Sequence, residues 1–581
     1  MKTTRIALGI VLLITVLSAA FGAEGAHPIF ATTIDFLDYV FYDKEGPEDI
    51  YPVEIYERRI REIANLGFRK IYLRVNALGL TLYPTKVTLL YGEGYRYHWG
   101  WPKEAARLSK TIRTYDVCKE TIRLGHKYGM EVWAWDSLSD GGTDIIVAGE
   151  NDAEAVRATH NLPLNDPFYV AHPEYYTMRD PKKTVPREKV EATNRHARAY
   201  PVGRIVATEK VGRIPLRLNQ ENIRLYVSDD NRTYRPYDGP LTFRAGLTAN
   251  GHNTFTLDNL NIDATYVKIG HAPLDDKGTY SFVMYNNGSN MQVFNTRGEP
   301  IVATWRFNNS GKTGTEGGLA MKASGDCAMD YGSREVGFMR GVEDSLENWY
   351  VLGIHEFAVP ETMAHQTARF AELAAYPFDG FYLNFGTHSR EEPQDQLGYN
   401  DAIRQIYLKK YGVDIWKEEA DPKKILLIRA DAIAKFFVAC KKCIGQRPLY
   451  VNGLPPVPLG ERAVFDEYNS CIKVNMLPSL YKRYLAEDRS VDGIMMCGGN
   501  FADHFTPEIT GGRDIKLGLC REGAHMRVNT QKGTYNIDTD LHACHADSRL
   551  SEVELYEALE FTANPNFQKV LIDITGGRQQ K

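Results

Sequence analysis

Short apolar runs alternate with amphipathic stretches over most of the chain. FATTIDF (30–36) has the texture of a buried strand, and YPVEIYERRIREIANLG (51–67) follows with apolar residues at helical spacing and a glycine stop. KIYLRVN (70–76), a helix ending at LGHKYG (124–129) and MEVWAWDS (130–137) repeat the unit. After a long interruption, PETMAHQTARFAELAAY (360–376) reads as helix and DGFYLNF (379–385) as strand. An amphipathic helix around ILLIRADAIAKFFVACKKC (425–443) leads to PLYVNG (448–453), and VDGIMMCGG (491–499), IKLGLCREG (515–523) and KVLIDITGG (569–577) complete a set of eight expected strands. Such alternation implies a parallel sheet with right-handed crossovers, and eight units favour an α/β fold of the (β/α)8 TIM-barrel type over an open sheet.

The interruption, residues 194–305, has a different texture. IRLYVSDD, TYRPY, LTFRA, NTFTLDNL, ATYVKIGH, SFVMYN and MQVFN are short, β-branched and aromatic, with Asn, Asp and Gly between them. That is the pattern of an inserted antiparallel β-sandwich. The pair LYVSDDNRTYRPYDG and ATYVKIGH resembles the discoidin-like carbohydrate-binding sandwiches; a purely structural insert shielding the barrel mouth fits the same strands. The expected organisation is a signal peptide (1–26), a first barrel part (27–193), the insert (194–305) and a second barrel part (306–581).

The first residues bear on where the protein works. Lys2 and Arg5 precede an apolar run from Ile6 to Val16 and then small residues, the layout of a secretory signal, which places the protein outside the cell or in the periplasm. The run is shorter than the roughly 20 apolar residues of a spanning helix, and no later segment is long and apolar enough to span. Cleavage after Gly22 removes two positive charges and takes the formal charge from -5 to -7 (-5 minus 2). That mild acidity argues against nucleic acid as a partner. Eight cysteines are too few and too scattered for a disulfide scaffold, although export permits one or two bridges. Cys440 and Cys443 of CKKC sit at helical spacing, and HACH (542–545) lacks two further ligands at a metal-site spacing, so it reads as a surface loop. The pattern calls for no metal and no redox cofactor.

HEFAVPETMAHQTARFAELAAYPFDGFYLNF and GYNDAIRQIYLKKYGVDI resemble the secreted bacterial family-10-like glycosyl hydrolases. The matching pieces are Glu356 to Glu361, Asp379 to Phe385, Gly398 to Asn400 and Tyr411 to Asp414. The resemblance implies a carbohydrate-active barrel enzyme with an oligo- or polysaccharide as substrate. That family's strand usually ends in an acid, where this chain has Asn384. An amide orients a hydroxyl but donates no full proton.

Glycoside hydrolysis needs two carboxyl groups, and barrel sites lie at the C-terminal ends of the strands. Asp136 ends the third expected strand beside Trp133 and Trp135, and Glu522 ends the seventh; both are expected to be catalytic, with Glu356 as a further candidate and Glu391 and Glu392 behind it. Each has a plain alternative as a cap or an ion-pair partner. Asp35 and Asp38 after the first strand either bind sugar or cap a helix. Substrate contacts are expected from Arg74, Trp135, Asn384, His388, Arg390, Tyr399, Asn400 and Asn452, with Tyr97, Trp99 and Trp101 adding aromatic surface. The reading is therefore a secreted glycoside hydrolase. Its rivals are a non-catalytic polysaccharide-binding protein, in which Asn384 marks lost chemistry, and a polysaccharide lyase using Arg74 or His388.

Overall fold

The computed structural model describes residues 27–577 apart from 44, 78, 92–101, 139–165, 185, 209–217, 232, 248–252, 273–289, 309–313, 316–317, 320–334, 343–348, 386–396, 457–473, 475–476, 498, 523–536 and 563–564. The expected signal peptide lies outside the described residues. Eight parallel strands close into a barrel: β1 (Ile29–Ile34), β2 (Lys70–Arg74), β3 (Glu131–Ser137), β4 (Gly380–Asn384), β5 (Leu449–Gly453), β6 (Gly493–Met496), β7 (Lys516–Glu522) and β8 (Glu552–Tyr556). β8 pairs back onto β1 with Ile29 opposite Glu552. The TIM-barrel fold with an inserted antiparallel β region is therefore the observed one. Among the described residues no helix is long and apolar enough to cross a membrane.

Seven barrel strands fall where the apolar runs place them; the eighth does not. KVLIDITGG was expected as a strand, but Pro565–Thr575 is a helix, and the barrel closes instead with EVELY. Phe567, Val570, Leu571 and Ile574 in that helix pack on the core at helical spacing. EVELY escaped notice because its interior positions are acids: Glu552 and Glu554 are buried inside the barrel, while Val553 and Leu555 join the apolar layer under the helices.

Around the barrel run α1 (Phe36–Tyr42), α2 (Val53–Asn65), α3 (Val117–Lys127), α4 (Pro360–Ala374), α5 (Asp401–Tyr411), α6 (Pro422–Ile444), α7 (Ile537–Ala546) and α8 (Pro565–Thr575), among others. Amphipathic spacing explains them: α2 turns Tyr56, Ile60 and Ile63 inward, then ends before Gly67, whose φ of 91° suits glycine. Cys440 and Cys443 lie on α6 as helical spacing requires. The HACH run, expected as a loop, lies on α7.

The insert leaves the barrel after β3, on the C-terminal side, and returns before α4. Its stem is a short antiparallel pair, Tyr176–Met178 against Tyr350–His355. Beyond it stand two five-stranded antiparallel sheets, whose strands run from Val202 to Arg340. The first sheet is built around Val202–Thr208 and the second around Tyr266–His271 and Glu335–Arg340. Every second residue of these strands turns to the space between the sheets, where Ile205, Ala207, Leu225, Val227, Val267, Ile269, Val336 and Phe338 form one shared core. Glu335–Arg340 thus belongs to the sheets although the change in texture ends near Trp305; SFVMYN lies outside the described residues.

Candidate active site

Strand parity decides which residues reach the mouth of the barrel. Ala31, Tyr72, Trp133, Trp135, Tyr382, Tyr450 and Met495 form the barrel interior, with Cys497, Cys520 and Tyr556 against them. Side chains alternate along a strand, so Asp35, Arg74, Asn384 and Asn452, an even number of residues past interior positions, belong to the upper interior layer. Below them the interior is polar: Glu552 takes Lys70 and the Tyr72 hydroxyl, and Thr33 donates to Glu554.

The mouth holds a group of three carboxylates. One oxygen each from Asp35, Asp38 and Glu557 lies within 4.8 Å of the others. Asp35 follows β1, Asp38 sits in the first turn of α1, and Glu557 follows β8. Asp35 works as the helix cap, accepting from Leu37 N at 3.1 Å, and its second oxygen pairs with Arg74. Arg74 also donates through Nε to the Asn76 carbonyl at 3.1 Å. Asp38 and Glu557 are half-buried and hydrogen-bonded to each other. Burial, then the Glu557 charge and the hydrogen bond to it, push the Asp38 carboxyl well above the usual range. Burial also raises Glu557, while the Asp38 hydrogen bond pulls it down. The physical reading is a coupled pair in which burial and mutual repulsion favour one protonated carboxyl.

Three clustered carboxylates have the donor chemistry of a divalent-cation site. Here the countercharge is Arg74, bonded to Asp35 and close enough to lower both Asp38 and Glu557.

Trp135 was expected to stack on sugar, yet its faces are occupied. It lies parallel to Tyr382 with centroids 6.3 Å apart, meets Tyr556 edge-on at 5.5 Å, and has the Arg74 guanidinium 5.5 Å from its ring. Its buried indole N–H has no acceptor among the described residues, so the polar edge is what it offers a ligand. The Asn384 amide donates to the Tyr382 hydroxyl at 3.1 Å, and Asn452 accepts from Phe385 N at 2.8 Å, fixing the end of β4.

Other expected site residues stand elsewhere. Asp136, expected as a catalytic acid, takes the opposite parity from Trp135 and faces the helix layer. There Arg369 of α4 grips both its oxygens at 2.7 and 2.8 Å. Glu356 is buried against Arg429 of α6 at 2.8 Å, with Thr177 at 3.3 Å. Tyr399 packs in a side cluster with Ile403 and Tyr407. Asn400 ties down the stem of the insert, accepting from Met178 N at 2.8 Å and donating to the carbonyls of Glu174 and Tyr176 at 2.9 and 2.7 Å. These four were placed by nearness in sequence to strand ends or family-like motifs, which says nothing of parity. Glu522 ends β7 with its backbone opposite Tyr556; its side chain lies outside the described residues, as do His388, Arg390, Glu391, Glu392, Tyr97, Trp99 and Trp101. Glu557 was missed because β8 was misplaced. The alternation of Val553 and Leu555 was the available signal.

No protein family and no curated protein matches the chain. Among solved structures it is similar to the crystal structure of the catalytic domain of beta-amylase from Paenibacillus polymyxa, at 9% identity over 95% of this chain and 100% of that one, with a TM-score of 0.37. It is also similar to the structure of morphinone reductase in complex with tetrahydroNAD, at 10% identity over 51% of this chain and 65% of that one, with a TM-score of 0.22. Likenesses this distant bear on neither activity nor substrate.

Proposed function

We propose that the protein is an exported glycoside hydrolase of the family-10-like kind, whose acid is the Asp38–Glu557 pair. One observation carries this: two hydrogen-bonded, half-buried carboxyls at the C-terminal mouth of the barrel, with the Asp38 carboxyl held well above its ordinary range. A carboxyl whose proton is held more tightly than an ordinary aspartate holds it suits the protonation of the departing glycosidic oxygen.

The pair acts as one unit. Carboxyls that straddle a glycosidic bond stand about 5–5.5 Å apart in retaining enzymes and about 6.5–9.5 Å in inverting ones, farther than hydrogen-bond contact. The second carboxylate therefore comes from elsewhere, and Glu522, at the end of the strand beside β8, is our candidate. Arg74 holds Asp35 in place rather than a substrate carboxylate, which weighs against a lyase. Asn384 orients a substrate hydroxyl, and the insert, whether discoidin-like or not, joins the barrel between β3 and α4.

The test is a panel of plant, algal and host glycans, assayed together for new reducing ends and for unsaturated products. New reducing ends that vanish in Glu557→Gln support the reading. Binding without turnover on every glycan would favour the non-catalytic alternative, and unsaturated products would favour a lyase. Export is tested by sequencing the N-terminus of protein recovered outside the cytoplasm; a start between Gly22 and His27 is expected.

A further inference from the structure

Two thiols stand side by side in the barrel interior. β6 and β7 run parallel with Met496 opposite Leu519, so the next rung sets Cys497 against Cys520. Both pack on the interior cluster that contains Tyr382, Trp135 and Met495, and both are only partly buried. Neither is in a disulfide. Cys497 donates to the Met495 carbonyl at 3.8 Å and lies within hydrogen-bonding reach of the Tyr382 hydroxyl, and Cys520 bears on the same phenol. Neighbouring strands lie about 4.7–4.9 Å apart, inside the Cα separation of roughly 4.4–6.8 Å that a disulfide spans.

We propose that Cys497 and Cys520 form a redox-modification site that closes to an intramolecular disulfide by reaction with a low-molecular-weight disulfide. One protein thiolate attacks a sulfur of the small disulfide, and a small thiolate leaves and takes up the proton the protein thiol has lost. The second protein thiolate then attacks the first protein sulfur in the mixed disulfide, and a second small thiol leaves in the same way. Two electrons pass from the protein dithiol to the small disulfide, which ends as two thiols.

The other described cysteines are less suited. Cys118 and Cys440 are fully buried, which leaves Cys443 facing a partner that solvent does not reach. Cys544 lies on α7, on the far side of β7, with the Arg521 guanidinium at 3.7 Å. The crosslink would remove the thiol within hydrogen-bonding reach of the Tyr382 hydroxyl, which also takes the Asn384 amide at 3.1 Å. The oxidation state would therefore reach the residues lining the mouth.

The full-length folded chain, incubated with oxidised glutathione, alkylated and mapped by peptide mass spectrometry, tests the site. The expected product joins the Cys497 and Cys520 peptides, two hydrogens lighter than the reduced pair, and disappears with dithiothreitol. Cys497→Ser and Cys520→Ser should each leave a persistent glutathione adduct on the remaining thiol. Separate adducts on both cysteines of one wild-type molecule, crosslinks from either to a different cysteine, or two thiols that stay unmodified would each overturn the proposal. The readout is covalent mass, so it stands apart from whether the barrel hydrolyses a glycan.

Discussion

Two aspartates ending up on opposite sides of the barrel wall should respond in opposite ways to the same substitution. Asp136 is 1% exposed and holds both of its oxygens on Arg369, which is 3% exposed. Burial alone would lower the Arg369 pKa, but the Asp136 charge overrides it and keeps the guanidinium charged. Asp136→Asn removes the negative partner and leaves that cation in place, a change that costs about 3–5 kcal/mol in buried pairs. Asp38→Asn replaces a half-buried carboxyl whose pKa burial and the Glu557 charge raise with an amide of nearly the same shape. Its cost should be well below that of Asp136→Asn, because an amide can still donate to Glu557 and carries no charge to be desolvated. Turnover should invert the order: about 10²- to 10⁴-fold lost in Asp38→Asn, as for a positioned acid, and near wild type per folded molecule in Asp136→Asn. Guanidinium unfolding followed by tryptophan fluorescence reads the first quantity, and kcat on a glycan turned over by the wild type reads the second. Replacing the pair together, Asp136→Leu with Arg369→Met, should recover much of the lost stability. An Asp136→Asn variant with an unmoved unfolding midpoint and collapsed turnover would refute the placement of Asp136 in the scaffold.

The second carboxylate has its own test: Glu522→Gln should lower kcat by about 10²-fold or more, whereas Asn384→Ala should raise KM at least as much as it lowers kcat. A Glu522→Gln enzyme with full turnover would exclude Glu522. The raised Asp38 pKa also makes stability depend on pH. Its stabilising contribution is fully present below the unfolded value of about 3.9 and is lost as pH rises through the raised folded value, so stability should fall over the window above about pH 4. Asp38→Asn should flatten that slope, and an unchanged slope would show that the proton sits elsewhere. For the insert, a fragment Arg187–Val342 should unfold cooperatively, while one ending at Trp305 should not. The shorter piece lacks Glu335–Arg340, the strand between Ala303–Asn308 and Tyr266–His271 whose Val336 and Phe338 are fully buried. Equal cooperativity of both fragments would mean that this strand is dispensable.

The barrel was legible because most of its strands bury an apolar outer face beneath amphipathic helices. KIYLRVN, MEVWAWDS and DGFYLNF are strands by any apolar measure, since their inward residues are aromatic too. EVELY broke the pattern by carrying acids inward, where Lys70, Tyr72 and Thr33 meet them. These buried partners come from β1 and β2, far away in sequence (the closest separation is 480). No local window contains them. The same reasoning explains the sandwich: Glu335–Arg340 is surrounded by polar sequence, and its Glu335 is matched by Lys268 across the sheet at 3.2 Å.

For the site, strand ends were the right place to look, but parity had to be right as well. Asp136 and Trp135 are adjacent in sequence, and one faces the helices while the other faces the barrel interior. An acid beside two tryptophans invited a catalytic role. Yet counting from Trp133, an interior residue, puts Trp135 on the same side and Asp136 on the other. The same count from Ala31 puts Asp35 inward beside Arg74, and α1 then carries Asp38 back over the mouth toward Glu557. A carboxyl's environment, not its distance from a strand end, separates the two kinds of acid. Arg369 pairs with both oxygens of Asp136 beneath the helix layer, whereas Asp38 and Glu557 meet each other at the rim, where burial and their mutual charge favour a protonated carboxyl.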